Sequence, residues 1–119
     1  MRPAVLVMLL SLLPAAARAD SGDSQEQLKF GIDVARKGLW TEARFRFERA
    51  AQLDPQNAAA FNNLAVALEQ QGDFDRAREA YDKALALRPG DTYVQQNYDL
   101  FREADDKRKR KNKQQKTQP

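Results

Sequence analysis

The chain has 119 residues, of which 42% are apolar and 31% are charged, so there is room for one small folded domain. It contains no Cys and no His, which excludes thiol and imidazole catalysis, disulfides and the common zinc ligand sets. No nucleophile among the remaining side chains has a suitable base beside it, and we therefore expect no catalytic residue, no metal site and no cofactor.

The first residues are typical of an export signal. Arg2 precedes an apolar run from Ala4 to Leu13, and the small residues Ala17-Arg18-Ala19 match a signal-peptidase cleavage site. The run is much shorter than the about 20 apolar residues that cross a bilayer, which favours cleavage over an uncleaved anchor helix. We predict a signal peptide over residues 1–19, cleavage before Asp20, a short leader over residues 20–23, and a periplasmic or secreted mature protein.

Similar residue types then recur 34 positions apart. Gly38 recurs as Gly72 and Ala43 as Ala77. Since glycine tolerates positive φ, each glycine is expected to end one helix and let the chain reverse into a second. The other recurring pairs are Trp40 and Phe74, Phe47 and Tyr81, Ala50 and Ala84, Leu53 and Leu87, and Pro55 and Pro89.

Each second helix of a period carries a small residue and an aromatic residue one turn later. Ala43, Phe47 and Ala50 follow one another at spacings of four and three, which places them on one helical face. The alanine permits close approach of two helices and the aromatic ring fills the space beside it. Pro55 and Pro89 are expected to stop these second helices.

These recurring residues resemble the tetratricopeptide repeat family, whose units are pairs of antiparallel helices stacked into a right-handed solenoid. The resemblance implies an all-α fold with repeat one over residues 24–57 and repeat two over residues 58–91. Val94, Tyr98 and Phe101 predict a capping helix over residues 92–106. Such folds usually need about three units, so the sequence leaves open modest stability or help from self-association.

In this family the first helix of each unit lines a concave groove, which implies that this chain is an adaptor or assembly factor binding a peptide or helical segment of another protein. An alternative is that some groove positions merely cover a neighbouring helix. Trp40 could stack on a ligand, but we expect it in the core because Phe74 takes the same place one repeat later. The groove positions are Leu28, Ile32, Asn62, Asn63, Val66, Gln70, Tyr93, Gln96, Asn97 and Leu100.

The resemblance also indicates what the groove accepts. Some members grip an acidic C-terminus through cations at positions that are Leu28, Ile32 and Tyr93 here. We therefore expect an apolar segment, with Asn63 and Asn97 pairing its backbone and with binding that resists salt.

The C-terminal residues differ in charge from the rest. Residues 20–106 hold 11 basic and 17 acidic residues, a net charge of −6, whereas residues 107–119 hold seven basic and no acidic residue. With no apolar residue this tail is predicted to be disordered. It is either a solubilising terminus or a binder of anionic surfaces, with the repeats as a spacer, and nucleic acid is the least favoured partner because no aromatic side chain is interleaved. The basic residues are Lys107, Arg108, Lys109, Arg110, Lys111, Lys113 and Lys116.

Overall fold

The computed structural model describes residues 15–118, and their side chains from residue 22, as five α-helices joined by short turns, with no strand in this range. Two antiparallel pairs are followed by a fifth helix, which confirms the all-α helical repeat. No helix in the described range is both long and apolar enough to cross a membrane. The helices are α1 Ala15–Arg36, α2 Trp40–Leu53, α3 Ala58–Gln70, α4 Phe74–Leu87 and α5 Thr92–Thr117.

The N-terminal boundary differs from the prediction. Residues 20–23, expected to be a leader, form part of α1. Residues 1–14 of the expected signal peptide lie outside the described residues, and the expected cleavage point before Asp20 falls within α1. Cleavage therefore stays a prediction.

The turns within the two helix pairs are built alike. Gly38 and Gly72 have φ values of 75° and 78°, as predicted. In the first turn the amide of Leu39 donates to the carbonyl of Val34 at 3.1 Å, and the amide of Asp73 donates to that of Leu68 at 2.9 Å in the second. These bonds satisfy carbonyls left open at each helix end and reverse the chain in the same way twice.

The helix starts after the prolines are also related by the 34-residue period. Asn57 caps α3 by accepting a hydrogen bond from the amide of Ala60, and Asp91 caps α5 by accepting from the amides of Tyr93 and Val94. An accepting side chain at this place orders the first turn of the helix. Both second helices end two residues before a proline, as predicted.

The core lies where the helices of a pair cross. Ala43 and Ala77 are fully buried, and Phe47 and Tyr81 are almost fully buried beside them. Gly31 on α1 faces this crossing, because a Cβ atom there would lie 2.5 Å from Cε1 of Phe47. The absence of a side chain at Gly31 therefore allows α1 and α2 to approach.

A buried hydrogen-bond network joins three helices near the same crossing. The Ser24 hydroxyl donates to the carbonyl of Ala50 at 2.7 Å and accepts from Nδ2 of Asn57 at 3.0 Å. Asn57 in turn accepts from the amide of Ala60 at 3.2 Å. Ser24 thus connects α1, the end of α2 and the start of α3.

The fifth helix covers repeat two as predicted, but it is longer than predicted. The rings of Tyr98 and Phe101 lie 5.6 Å and 5.3 Å from the ring of Tyr81, centroid to centroid, and Val94 is buried. The helix does not end at residue 106 but continues to Thr117. The prediction of a disordered tail is wrong for residues 107–117, because charged side chains at the start of this segment contact α4.

We expect Gly31→Ala to destabilise the chain. The added methyl group overlaps the Phe47 ring, and overpacking of this kind costs about 1–3 kcal/mol, more than the helix propensity that alanine contributes. Gly22→Ala is the matched control on the same helix, because nothing lies within 4 Å of its Cβ position. It should be neutral or stabilise by up to about 1 kcal/mol. Equal stabilisation by both substitutions in urea unfolding would contradict the close approach of α1 and α2.

Candidate functional site

An open, largely apolar cavity of about 230 Å³ lies where α1, α2 and α3 meet. Ile32 and Val66 line it from the first helices of the two repeats, and Asn63 stands one turn from Val66. All three were predicted to line the groove. The full lining is Ile32, Ala35, Arg36, Trp40, Phe47, Asn63 and Val66.

Two of the predicted groove residues are not available to a partner. Leu28 is 7% exposed and packs within the hydrophobic core. Asn62 is 3% exposed, and its side-chain oxygen accepts a hydrogen bond from Nδ2 of Asn97 at 3.4 Å. Their inclusion in the groove was wrong, because the surface of each is already covered by the fold.

The predicted groove residues on α5 lie apart from this cavity. Gln96 and Leu100 line a second depression of about 480 Å³ that is bordered by the α4–α5 turn. Tyr93 and Leu100 are 68% and 63% exposed, and Gln70 on α3 is also exposed. Asn97 is half-buried and, through Asn62, connects α5 to α3.

The cavity also contains residues that were not predicted to line it. Trp40, expected in the core, does pack against the core but is half-buried and contributes to the cavity wall. Arg36 brings a cation to its edge, where the only ion pair described for it is an exposed one with Asp33 at 3.8 Å. Arg36 was not among the groove residues predicted from the sequence. Arg36 follows Ile32 by four residues, and that spacing places both on one helical face.

A second constellation of side chains fixes the direction of α5. The carboxylate of Asp105 is buried and lies 2.6 Å from the guanidinium of Arg78 on α4 and 3.1 Å from the ammonium of Lys109, while Arg108 also contacts it. The guanidinium of Arg108 lies over the ring of Phe74, the first residue of α4. We call Asp105, Arg78, Arg108 and Lys109 the charge cluster.

The surroundings of Asp105 favour its ionised form. Burial alone would raise the pKa of the carboxyl, but the hydrogen bonds from Arg78 and Lys109 and the positive charge of Arg108 lower it below its usual value. Since burying an unpaired charge is costly, these contacts together offset the burial of the carboxylate. The charge cluster therefore accounts for the continuation of α5 beyond its last apolar contact as far as Lys109.

The predicted basic residues of the tail differ in whether they form ion pairs. Lys107 pairs with Glu103 at 3.1 Å, and Arg108 and Lys109 belong to the charge cluster. In the described part of the chain no carboxylate lies within 4.0 Å of the charged nitrogens of the remaining four. These unpaired cations, on an exposed helical surface, are Arg110, Lys111, Lys113 and Lys116.

The tetratricopeptide repeat family model matches residues 28–92, more than half of the 119-residue chain. The match begins within α1 and ends at the first residue of α5. It therefore covers the C-terminal part of α1, all of α2, α3 and α4, and every residue that lines the cavity between α1, α2 and α3.

Replacing Asp105 with Asn should lower the free energy of unfolding by about 2 kcal/mol at pH 7, the usual size of hydrogen bonds to a charged group. Because the pKa of Asp105 is lower in the folded chain than the ordinary value of about 3.9, its contribution is present above that pH and is lost as the pH falls through the folded-state pKa. The difference between wild type and Asp105→Asn should therefore shrink in acid.

Asp106→Asn is the matched control for this measurement, because Asp106 is exposed and its carboxylate makes no described ion pair. It should leave the unfolding curve almost unchanged both at pH 7 and in acid. Identical behaviour of the two variants in pH-dependent urea unfolding would contradict a structural role for Asp105.

Proposed function

This chain belongs to the tetratricopeptide repeat family, and we propose that it is a non-catalytic binding protein that holds a segment of another polypeptide. Repeats of this family generally mediate contacts between proteins. The observation that supports a defined site is the open apolar cavity beside Asn63, lined from the first helices of both repeats.

The cavity suits an apolar side chain of an extended or helical segment. Ile32, Val66 and Trp40 are each only half-buried, so an entering apolar group would remove their remaining surface from water. Such burial is worth about 25 cal/mol per Å² of apolar surface. The Asn63 amide at the edge could then pair with the partner's backbone, which would set the direction of the segment.

Arg36 adds a preference that apolar contacts alone would not supply. Its guanidinium stands at the edge of the cavity and is tied only to the exposed carboxylate of Asp33, a contact of the kind that contributes little. A carboxylate near the partner's apolar anchor would compete for this guanidinium. We therefore propose an apolar anchor with an acidic neighbour as the preferred ligand.

The binding site can be tested with peptides selected from a displayed library against this chain. Trp40 is the single tryptophan, so its emission should move to shorter wavelength when a selected peptide fills the cavity. Asn63→Ala should weaken binding by about 1 kcal/mol, the size of a neutral hydrogen bond. Val66→Asp should abolish it, because an unpaired charge would face the apolar anchor.

The Tyr93→Ala variant tests whether the peptide-binding site extends from the cavity to α5. Because aromatic anchors dominate interfaces, we expect this variant to weaken peptide binding by more than about 1 kcal/mol if the bound segment reaches Tyr93. Phe45→Ala is the matched control, because Phe45 is also an exposed aromatic residue but lies on α2 outside the cavity lining. Undiminished binding to a helical Val66→Asp, Tyr93→Ala double variant would exclude this groove as the binding site.

We further propose that the chain acts outside the cytoplasm, after removal of residues 1–19. The buried contacts described for α1 begin at Ser24, so a cut before Asp20 would leave this packing intact. The protein recovered from periplasm or medium should have an intact mass that begins at Asp20. A soluble cytosolic form that begins at Met1 would contradict export.

A further inference from the structure

The outward face of α4 carries a row of three carboxylates. Asp75, Glu79 and Asp82 follow one another at spacings of four and three, and all three are exposed. In the described part of the chain no cation lies within 4.0 Å of any of them. Glu79 lines a depression together with Arg76 and Lys83, neither of which approaches its carboxylate within 4.0 Å. We call these three residues the acidic row.

The extension of α5 carries cations with the same spacing. Lys109, Lys113 and Lys116 also follow at intervals of four and three, and Arg110 stands beside them. Seven residues of α-helix span about 10 Å, so the acidic row and this basic row have the same length. Lys109 is engaged by Asp105, whereas Arg110, Lys113 and Lys116 are unpaired.

Beyond Lys109 the extension points away from Glu79 and Asp82 of its own chain, whereas Asp75 lines a depression together with Arg108 and Lys109 at the start of α4. Helix α5 runs antiparallel to α4, with Asp105 against Arg78 and Arg108 over Phe74, where α4 begins. At 1.5 Å per residue, Lys113 lies about 7 Å and Lys116 about 12 Å beyond Arg108. Reaching Glu79 or Asp82 in the same chain would require α5 to break and release the charge cluster.

We propose that the α5 extension of one copy binds the acidic row of a second copy of this chain. The two surfaces have opposite charge and equal spacing, and Glu79 and Asp82 on one and Lys113 and Lys116 on the other are exposed. Residues 20–106 carry a net charge of −6 and the residues after them seven cations. Residues 107–118 contain no apolar or aromatic side chain that would insert into a bilayer or stack on bases.

Contact with carboxylates would also reduce the electrostatic repulsion between neighbouring cations of the extension. The pair Lys109–Lys113 places like charges four residues apart, an arrangement that weakens a helix. Opposite charges from a neighbouring molecule remove this repulsion. Because exposed ion pairs are individually weak and screened by salt, the association is weak and salt-sensitive.

The first measurement is sedimentation of the purified chain at ~0.01 M and ~1 M salt, where screening lengths are about 30 Å and 3 Å. We expect concentration-dependent dimers at low salt and monomers at high salt. A chain that stays monomeric at low salt, whether or not it binds heparin or anionic vesicles, overturns the proposal. This measurement needs no variant and does not depend on the peptide-binding cavity.

A charge exchange tests the two surfaces directly. The variant Asp75→Lys, Glu79→Lys, Asp82→Lys and the variant Arg110→Glu, Lys113→Glu, Lys116→Glu should each be monomeric at low salt, and their mixture should form heterodimers. The matched control reverses three exposed carboxylates elsewhere, Glu26→Lys, Asp33→Lys and Asp99→Lys, and should keep self-association. Equal loss in the control, or a mixture that stays monomeric although both variants are helical by circular dichroism, overturns the proposal.

Discussion

The helices of each pair can cross closely only because nearly no side chain stands at the point of crossing. Gly31 and Ala43 leave room for the Phe47 ring between α1 and α2, and Ala77 leaves room beside Tyr81 in the second pair. Close crossing brings α1 against α2, and Ile32 and Val66 line the cavity where these two helices meet α3. The shape of this cavity therefore depends in part on Gly31 and Ala43, which do not line it.

The helix pairs could be predicted because local chemistry determines their ends. A glycine at positive φ, a proline after a helix and a small residue followed by an aromatic one each act within one or two turns of their own position. Their recurrence at 34 residues predicted both pairs, and the spacing of Val94, Tyr98 and Phe101 predicted the fifth helix. Asn57 and Asp91 share the same period but were not recognised, since an accepting cap is one of many roles that a polar residue can have.

The parts that could not be predicted depend on contacts between distant residues. Nothing near Asp105 in the sequence distinguishes it from its exposed neighbour Asp106, and only Arg78, 27 residues earlier, completes its surroundings. A rule based on composition therefore predicted disorder where the charge cluster orders a helix. In the groove, the pattern placed Leu28 and Ile32 on one face, but which of them a neighbouring helix covers depends on the packing of the pairs.

The hydrogen bonds of Ser24 have a consequence for how the chain unfolds. Stacked repeats are held by their own stability and by contacts between neighbours, and the balance decides whether each unit can melt alone. Here one hydroxyl bonds the last turn of the first unit and the residue that starts the second. Opening either unit would leave buried polar atoms without partners in the other. So short an array should therefore behave as a single cooperative unit, without a partly folded state in which one repeat persists.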